Sequence, residues 1–225
     1  MTIFEYLKTD HPWLDNTRYA NYQIALFLSG AILWIFTYID TIRDITRKKT
    51  INIPLIAICF NFGYEVTTSF AFVPNMGKVL VMAYWSWMVL DIFIVYSMFR
   101  FGVKQIRIKQ IASHITLYLF LGVSAGFLIQ FFFIPRYDLP MAPLAGYIIN
   151  LLMSVSFIYL VFIPGYQGNS LVTGWTKFLG TALISIMFQT KYPENHFLTV
   201  LYIFTALFDI LYIRLLYQQR KLAVL

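Results

Sequence analysis

The chain has 225 residues, of which 60% are hydrophobic and only 12% charged, and its mean hydropathy is +0.69. No soluble domain with a polar surface tolerates that composition, so the sequence reads as an all-α integral membrane protein. Its formal charge of +7 and pI near 9.4 are set by basic residues that cluster between apolar runs, a membrane-topology pattern and not a nucleic-acid footprint.

A hydrocarbon core of ~30 Å needs about 20 helical residues, and seven segments of that length follow one another: 19 to 41, 51 to 73, 77 to 99, 112 to 134, 142 to 164, 170 to 190 and 195 to 217. The eighteen residues before them carry Glu5, Lys8, Asp10, Asp15 and Arg18 and lack the basic start and small-residue cleavage site of a signal peptide, so the mature chain is expected to start at Met1. Connections are short, and residues 1–225 are expected to form one seven-helix domain. Arg43, Arg47, Lys48 and Lys49 follow the first segment, Arg100, Lys104, Arg107 and Lys109 the third, and Arg214, Arg220 and Lys221 the last. These share one side of a seven-span topology, which places the C-terminus in the cytoplasm and the N-terminus outside. The expected location is the cytoplasmic membrane in a bacterium or the endoplasmic reticulum in a fungus. The single Cys59 has no intrachain partner, and His11, His114 and His196 are far apart, so no metal site is expected.

Three of the ten acids, Glu65, Asp91 and Asp209, fall inside apolar segments. An acid at that depth is costly unless it faces a protein cavity, and it marks function by default. With no Lys or Arg read at the same depth, structural ion pairing does not account for them. From the helical rise, Glu65 lies slightly outside the midplane and Asp91 and Asp209 slightly inside, on the order of 9 Å apart along the normal. Polar and aromatic residues continue the same faces at helical spacing. They are Asn61, Glu65, Thr68 and Ser69 in the second segment, Tyr84, Trp87 and Asp91 in the third, and Tyr147, Asn150 and Ser154 in the fifth; Thr181, Ser185 and Gln189 in the sixth; and Tyr202, Thr205, Asp209 and Tyr212 in the seventh.

A carboxyl group in a low-dielectric site resists ionising and stays a proton donor at neutral pH. A second carboxyl can sharpen the donor or accept the proton that ends the reaction. Ring faces such as those of Tyr64, Tyr84, Trp87, Tyr202, Phe208 and Tyr212 stabilise a carbocation through cation–π attraction. Acid and aromatic walls without water suit a cationic cyclisation; packing and helix–helix glue are the alternative roles for the rings and small polar residues.

Asn61-Phe62-Gly63-Tyr64-Glu65, an acid after Trp87, and Phe208-Asp209 in the last of seven helices together resemble the membrane-bound terpene cyclases of meroterpenoid and indole-terpenoid pathways over essentially the whole chain. The resemblance implies that Glu65 and Asp209 are the acid pair; Asp91 is the third candidate catalytic acid, either a member of the set or a hydrogen-bonding neighbour of it. It also implies class II cyclisation, in which an epoxide or alkene of a prenyl chain is protonated, rings close, and a proton is lost. Asn61, Tyr64, Tyr84, Trp87, Asn150, Tyr202, Phe208 and Tyr212 are the expected substrate-binding residues. The aspartate-rich boxes of soluble cyclases are missing from the sequence, so no cofactor or metal is expected. The expected partners are a prenylated or terpenoid substrate and the lipid bilayer, with no nucleic acid. The alternative is a proton-coupled or sugar-type transporter, since intramembrane acids also serve as relays and a three-plus-one-plus-three repeat is conceivable from the likeness of Leu90-Asp91-Ile92 and Phe208-Asp209-Ile210.

Overall fold

The computed structural model describes residues 2–106, 109–163, 166 and 168–222. Arg107 of the basic cluster and position 164, where the fifth expected segment ends, lie outside them. Among the described residues the regular structure is helical throughout. A short α1, Ile3–Lys8, opens the chain; Thr2 and Glu5 close a reciprocal capping box at its start, and Ile3 and Tyr6 bury themselves against Val81. The long helices are α2 (Asn21–Lys48), α3 (Leu55–Phe70), α4 (Lys78–Phe101), α6 (Ile115–Tyr137), α7 (Pro143–Val161), α8 (Leu171–Lys191) and α9 (His196–Leu222). A 3-10 turn at Gly102–Gln105 and a four-residue α5, Lys109–Ala112, join α4 to α6.

Six of these helices are long and apolar enough to cross a membrane: α2, α4 with its 3-10 extension, α6, α7, α8 and α9. The second expected segment, 51 to 73, folds more tightly than its composition suggested. Its helix α3 has 16 residues, about 24 Å at the helical rise, short of the hydrocarbon thickness. Pro54 sets the start in an extended conformation, and Ala71 ends the helix ahead of Pro74. The shortness is accommodated because α3 lies inside the bundle, packed against α4, α6 and α7. By contrast α2 runs seven residues beyond the expected end at 41, which carries Arg43, Arg47 and Lys48 on a continuous helix whose last-turn charges complement its dipole.

Two close crossings hold the bundle. A Cβ on Gly63 would stand 2.4 Å from the backbone of Gly126, and one on Gly126 would stand 2.4 Å from the Cys59 carbonyl oxygen, so α3 and α6 touch backbone to backbone. Gly30 and Gly180 allow the same approach of α2 to α8. Helices α2, α4, α3, α7 and α8 then enclose a central space, with α6 backing α3 and α9 backing α7 and α8. The outer faces are apolar, with Phe36, Val89, Ile92, Phe120, Leu121 and Leu207 all at least half exposed, as a lipid-facing surface requires.

Candidate functional site

A cavity of about 100 Å³ occupies the central space. Its walls carry five of the expected binding residues, Asn61, Tyr64, Tyr84, Trp87 and Asn150, together with Glu65. Phe27, Trp34, Tyr38, Tyr147 and Phe188 complete an aromatic lining. The rings brace one another edge to face: Tyr84 stands 6.1 Å from Tyr64 and 5.9 Å from Trp87, and Trp87 6.5 Å from Phe27. Those contacts fix the curvature of the wall independently of any occupant.

Glu65 is 4% exposed, and its Oε2 meets no partner. A buried carboxyl oxygen without a partner leaves its hydrogen-bonding capacity free for whatever the cavity admits. Trp87 Nε1 and Asn150 Oδ1 are likewise buried without partners on the same wall. The cavity therefore offers an acid, a donor and an acceptor in an otherwise apolar enclosure, a pattern suited to orienting a mostly hydrocarbon molecule by few polar points.

One turn below Glu65, Asn61 reaches across to α4 and α2. Its Nδ2 donates to Asp91 Oδ2 at 2.6 Å and to the Tyr38 hydroxyl at 2.8 Å. Asp91 is 3% exposed and does not line the main cavity; it lines a second one of about 40 Å³ with Tyr38, Asn61, Thr37, Thr41, Thr173 and Lys177. The two cavities share Trp34, Tyr38, Asn61 and Met153 as a partition.

The premise that the three acids have no basic partner is corrected by Lys177. Its side chain, 3% exposed, lies on α8 facing α9, and its Nζ donates to Asp209 Oδ1 at 2.6 Å, Asp209 Oδ2 at 2.8 Å and Ser154 Oγ at 2.8 Å. Ser154 Oγ also donates to Asp209 Oδ1 at 2.7 Å. Asp209 is thus a paired carboxylate held behind Lys177, on a helix that lines neither cavity. The remaining expected residues of α9 stand away from the cavity as well. Tyr202 packs edge to face 4.5 Å from Tyr147; Phe208 packs against Phe204; Tyr212 stacks on Phe157 and shares its hydroxyl with Tyr166 at 3.1 Å.

One end of the main cavity is roofed by the connection between α6 and α7. Met141 and Ala142 there both adopt left-handed backbone conformations, with φ of 73° and 52°, unusual for residues with a side chain. Site tyrosines hold them: Tyr84 donates to the Met141 carbonyl at 2.7 Å and Tyr64 to the Ala142 carbonyl at 3.4 Å. Asp138 anchors the same loop by accepting from the backbone N–H of Leu139, Leu144 and Ala145 at 2.7, 2.9 and 2.7 Å. Burial pushes its carboxyl up to about 6, against the lowering effect of those three bonds.

Fold and site together define a multi-pass membrane protein built around an aromatic-walled pocket that contains a buried carboxyl group. The chain belongs to the family of Pyr4-like transmembrane terpene cyclases, whose description matches residues 14–221. It is 26% identical to the Pyr4-family terpene cyclase mfmH of Annulohypoxylon moriforme over 86% of this chain and 85% of that one. It is 25% identical to the terpene cyclase macJ of Penicillium terrestre over 75% and 67%. A further similarity, 30% identity over 42% of this chain and 32% of the other, is to the terpene cyclase ascF of Acremonium egyptiacum. No solved structure matches the chain significantly.

Proposed function

We propose that the chain catalyses class II cyclisation of a prenyl chain, with Glu65 as the general acid. The observation that carries this reading is the unpartnered, buried Oε2 of Glu65 on the wall of an aromatic cavity. The acid protonates a terminal epoxide or alkene; the epoxide is the easier target, because a neutral carboxylic acid is a weak donor toward a bare alkene. The cation migrates as rings close against Phe27, Trp34, Tyr84 and Trp87, whose faces stabilise positive charge while the cavity excludes water. Loss of a proton ends the cascade and leaves a cyclic isomer of the substrate.

Asp91 is the companion of Glu65 in this scheme. It is tied through Asn61 to the helical face that presents Glu65 one turn away. Asp209, which the family resemblance pairs with Glu65, is a positioning residue: it fixes Lys177 and Ser154 behind the wall and does not meet substrate. Membership of a cyclase family weighs against the transporter alternative. The topology that accompanies the proposal has seven passes, with α3 recessed inside the bundle and the basic ends of α2, α4 and α9 in the cytoplasm.

The test is direct. Purified protein in detergent is given a prenylated aromatic compound bearing a terminal epoxide, without added metal, and products are read by chromatography and mass. A cyclic product of unchanged mass is expected from the wild type and loss of at least about a hundredfold in rate from Glu65→Gln, the usual scale of general-acid removal. Full activity in a folded Glu65→Gln variant refutes the assignment.

A further inference from the structure

We propose that the second cavity holds water and is the route by which Glu65 exchanges its proton with the aqueous phase at the basic face. The inference rests on Glu65 as the acid and adds the residues that reload it. A cyclisation consumes no net proton: Glu65 gives one to the substrate and the closing cation releases one. The two transfers take place at different atoms, since the first forms a bond at the end of the prenyl chain and the last breaks a C–H bond after the rings have closed. Glu65 is then a carboxylate walled in by aromatic rings, and a proton must reach it before the next cycle.

Residue order along the helices gives the direction of that route. The main cavity takes Phe27 and Trp34 from α2, Tyr84 and Trp87 from α4, and Thr181, Ile184 and Phe188 from α8. The second takes Thr37 and Thr41, Asp91 and Ile94, and Thr173 and Lys177 from the same helices, one to two turns nearer the basic ends of α2 and α4 and the N-terminal end of α8. Seven side chains with polar groups, those of Asp91, Asn61, Tyr38, Thr37, Thr41, Thr173 and Lys177, stand among its lining around about 40 Å³, room for on the order of three waters. All the donor contacts of Lys177 go to Asp209 and Ser154, so its charge is neutralised and does not repel a proton passing through.

Both ends connect. At the basic end Thr173 Oγ1 donates to Asp40 Oδ2 at 2.7 Å, and Ser170 also donates to Asp40, which is half-buried on α2 three residues before Arg43. At the inner end Tyr38 and Asn61 stand in both walls, and the Tyr38 hydroxyl, which accepts from Asn61, is a group that can take and give a proton between water beside Asp91 and the cavity of Glu65. The sequence of exchangeable groups is Asp40, Thr173, water, Asp91, Tyr38 and Glu65.

The experiment needs no substrate and uses D2O as the probe. The carboxylic-acid C=O stretch of Glu65 is assigned by infrared difference between the wild type and Glu65→Gln in lipid, and its shift after transfer to D2O is timed. Thr173→Val, which removes one exchangeable hydroxyl with little change of volume, and Thr41→Leu, which fills the cavity, are expected to slow the shift on the order of tenfold each, as removal of a hydrogen-bonding link implies. Wild-type exchange rates in both variants, with the band intact, overturn the route while leaving Glu65 as the acid. A wild type with no carboxylic-acid band that depends on Glu65 overturns the acid assignment and the route with it.

Discussion

Removing the amino group of Lys177 is the most informative perturbation, because its effect separates a pairing role for Asp209 from a chemical one. Nζ lies 2.6 and 2.8 Å from the two carboxylate oxygens, and both side chains are 3% exposed. At an effective dielectric near 20 a pair at that distance attracts by about 6 kcal/mol, most of which offsets the cost of taking two ions out of water. The intact pair therefore contributes little net stability, but either partner alone is an uncompensated buried charge costing about 3–5 kcal/mol. Lys177→Met is expected to destabilise by that amount, while Lys177→Met with Asp209→Leu returns to within about 2 kcal/mol of the wild type. Equilibrium unfolding in mixed micelles, followed by tryptophan fluorescence, gives the three values. The folded double variant should also retain measurable cyclisation, since neither residue lines the main cavity. A cost below about 1 kcal/mol for Lys177→Met refutes the pairing argument, and a folded double variant as inactive as Glu65→Gln refutes the positioning role of Asp209.

Other expectations follow from the same geometry. Gly63→Ala places a Cβ 2.4 Å from the Gly126 backbone and should cost about 1–3 kcal/mol or more by forcing α3 and α6 apart, measured in the same micelle titration. Asp91→Asn keeps an acceptor for Asn61, so it should preserve folding while slowing turnover at saturating substrate more than it raises KM. The Asp138 carboxyl stands raised from the ordinary 3.8 to about 6, so its contribution to stability is fully present below about pH 4 and is lost as pH rises through 6, about 3 kcal/mol in all. Unfolding measured from pH 4 to 8 should show that slope. Asp138→Asn should flatten it and cost about 1–2 kcal/mol at low pH, because the Ala145 N–H loses its oxygen.

Much of the main cavity was legible from spacing alone. Asn61 and Glu65 sit one turn apart, Tyr84 and Trp87 follow the same rule on the next long helix, and all four meet on one wall as the stripes require. What spacing along single helices does not contain is which face of each helix turns inward. Asp209 carries the same local pattern as Asp91, but α9 packs behind α7 and α8, so its polar face meets Lys177 and not the cavity. Lys177 itself had a signal. The stripe of Thr181, Ser185 and Gln189 continues backward by fours to Lys177 and Thr173, which sets the amine on the polar face of an apolar segment and not in a loop between segments. Trp34 and Tyr38, and Thr37 and Thr41, likewise form two faces of α2 at helical spacing in a segment that contains no acid to draw the eye until Asp40. The shortness of α3 was written in Pro54 and Pro74, which bound a stretch whose apolar composition alone suggested a full span.

The roof of the cavity joins two properties that most enclosed sites keep separate. Met141 and Ala142 hold their left-handed conformations with the help of Tyr84 and Tyr64, and these same rings form the wall against which a cation would move. Lifting the loop to admit a molecule from that side releases both hydroxyls and frees both rings to turn. Wall and roof are therefore one coupled element: a shift of the loop backbone is also a shift of two of the rings that shape the cavity.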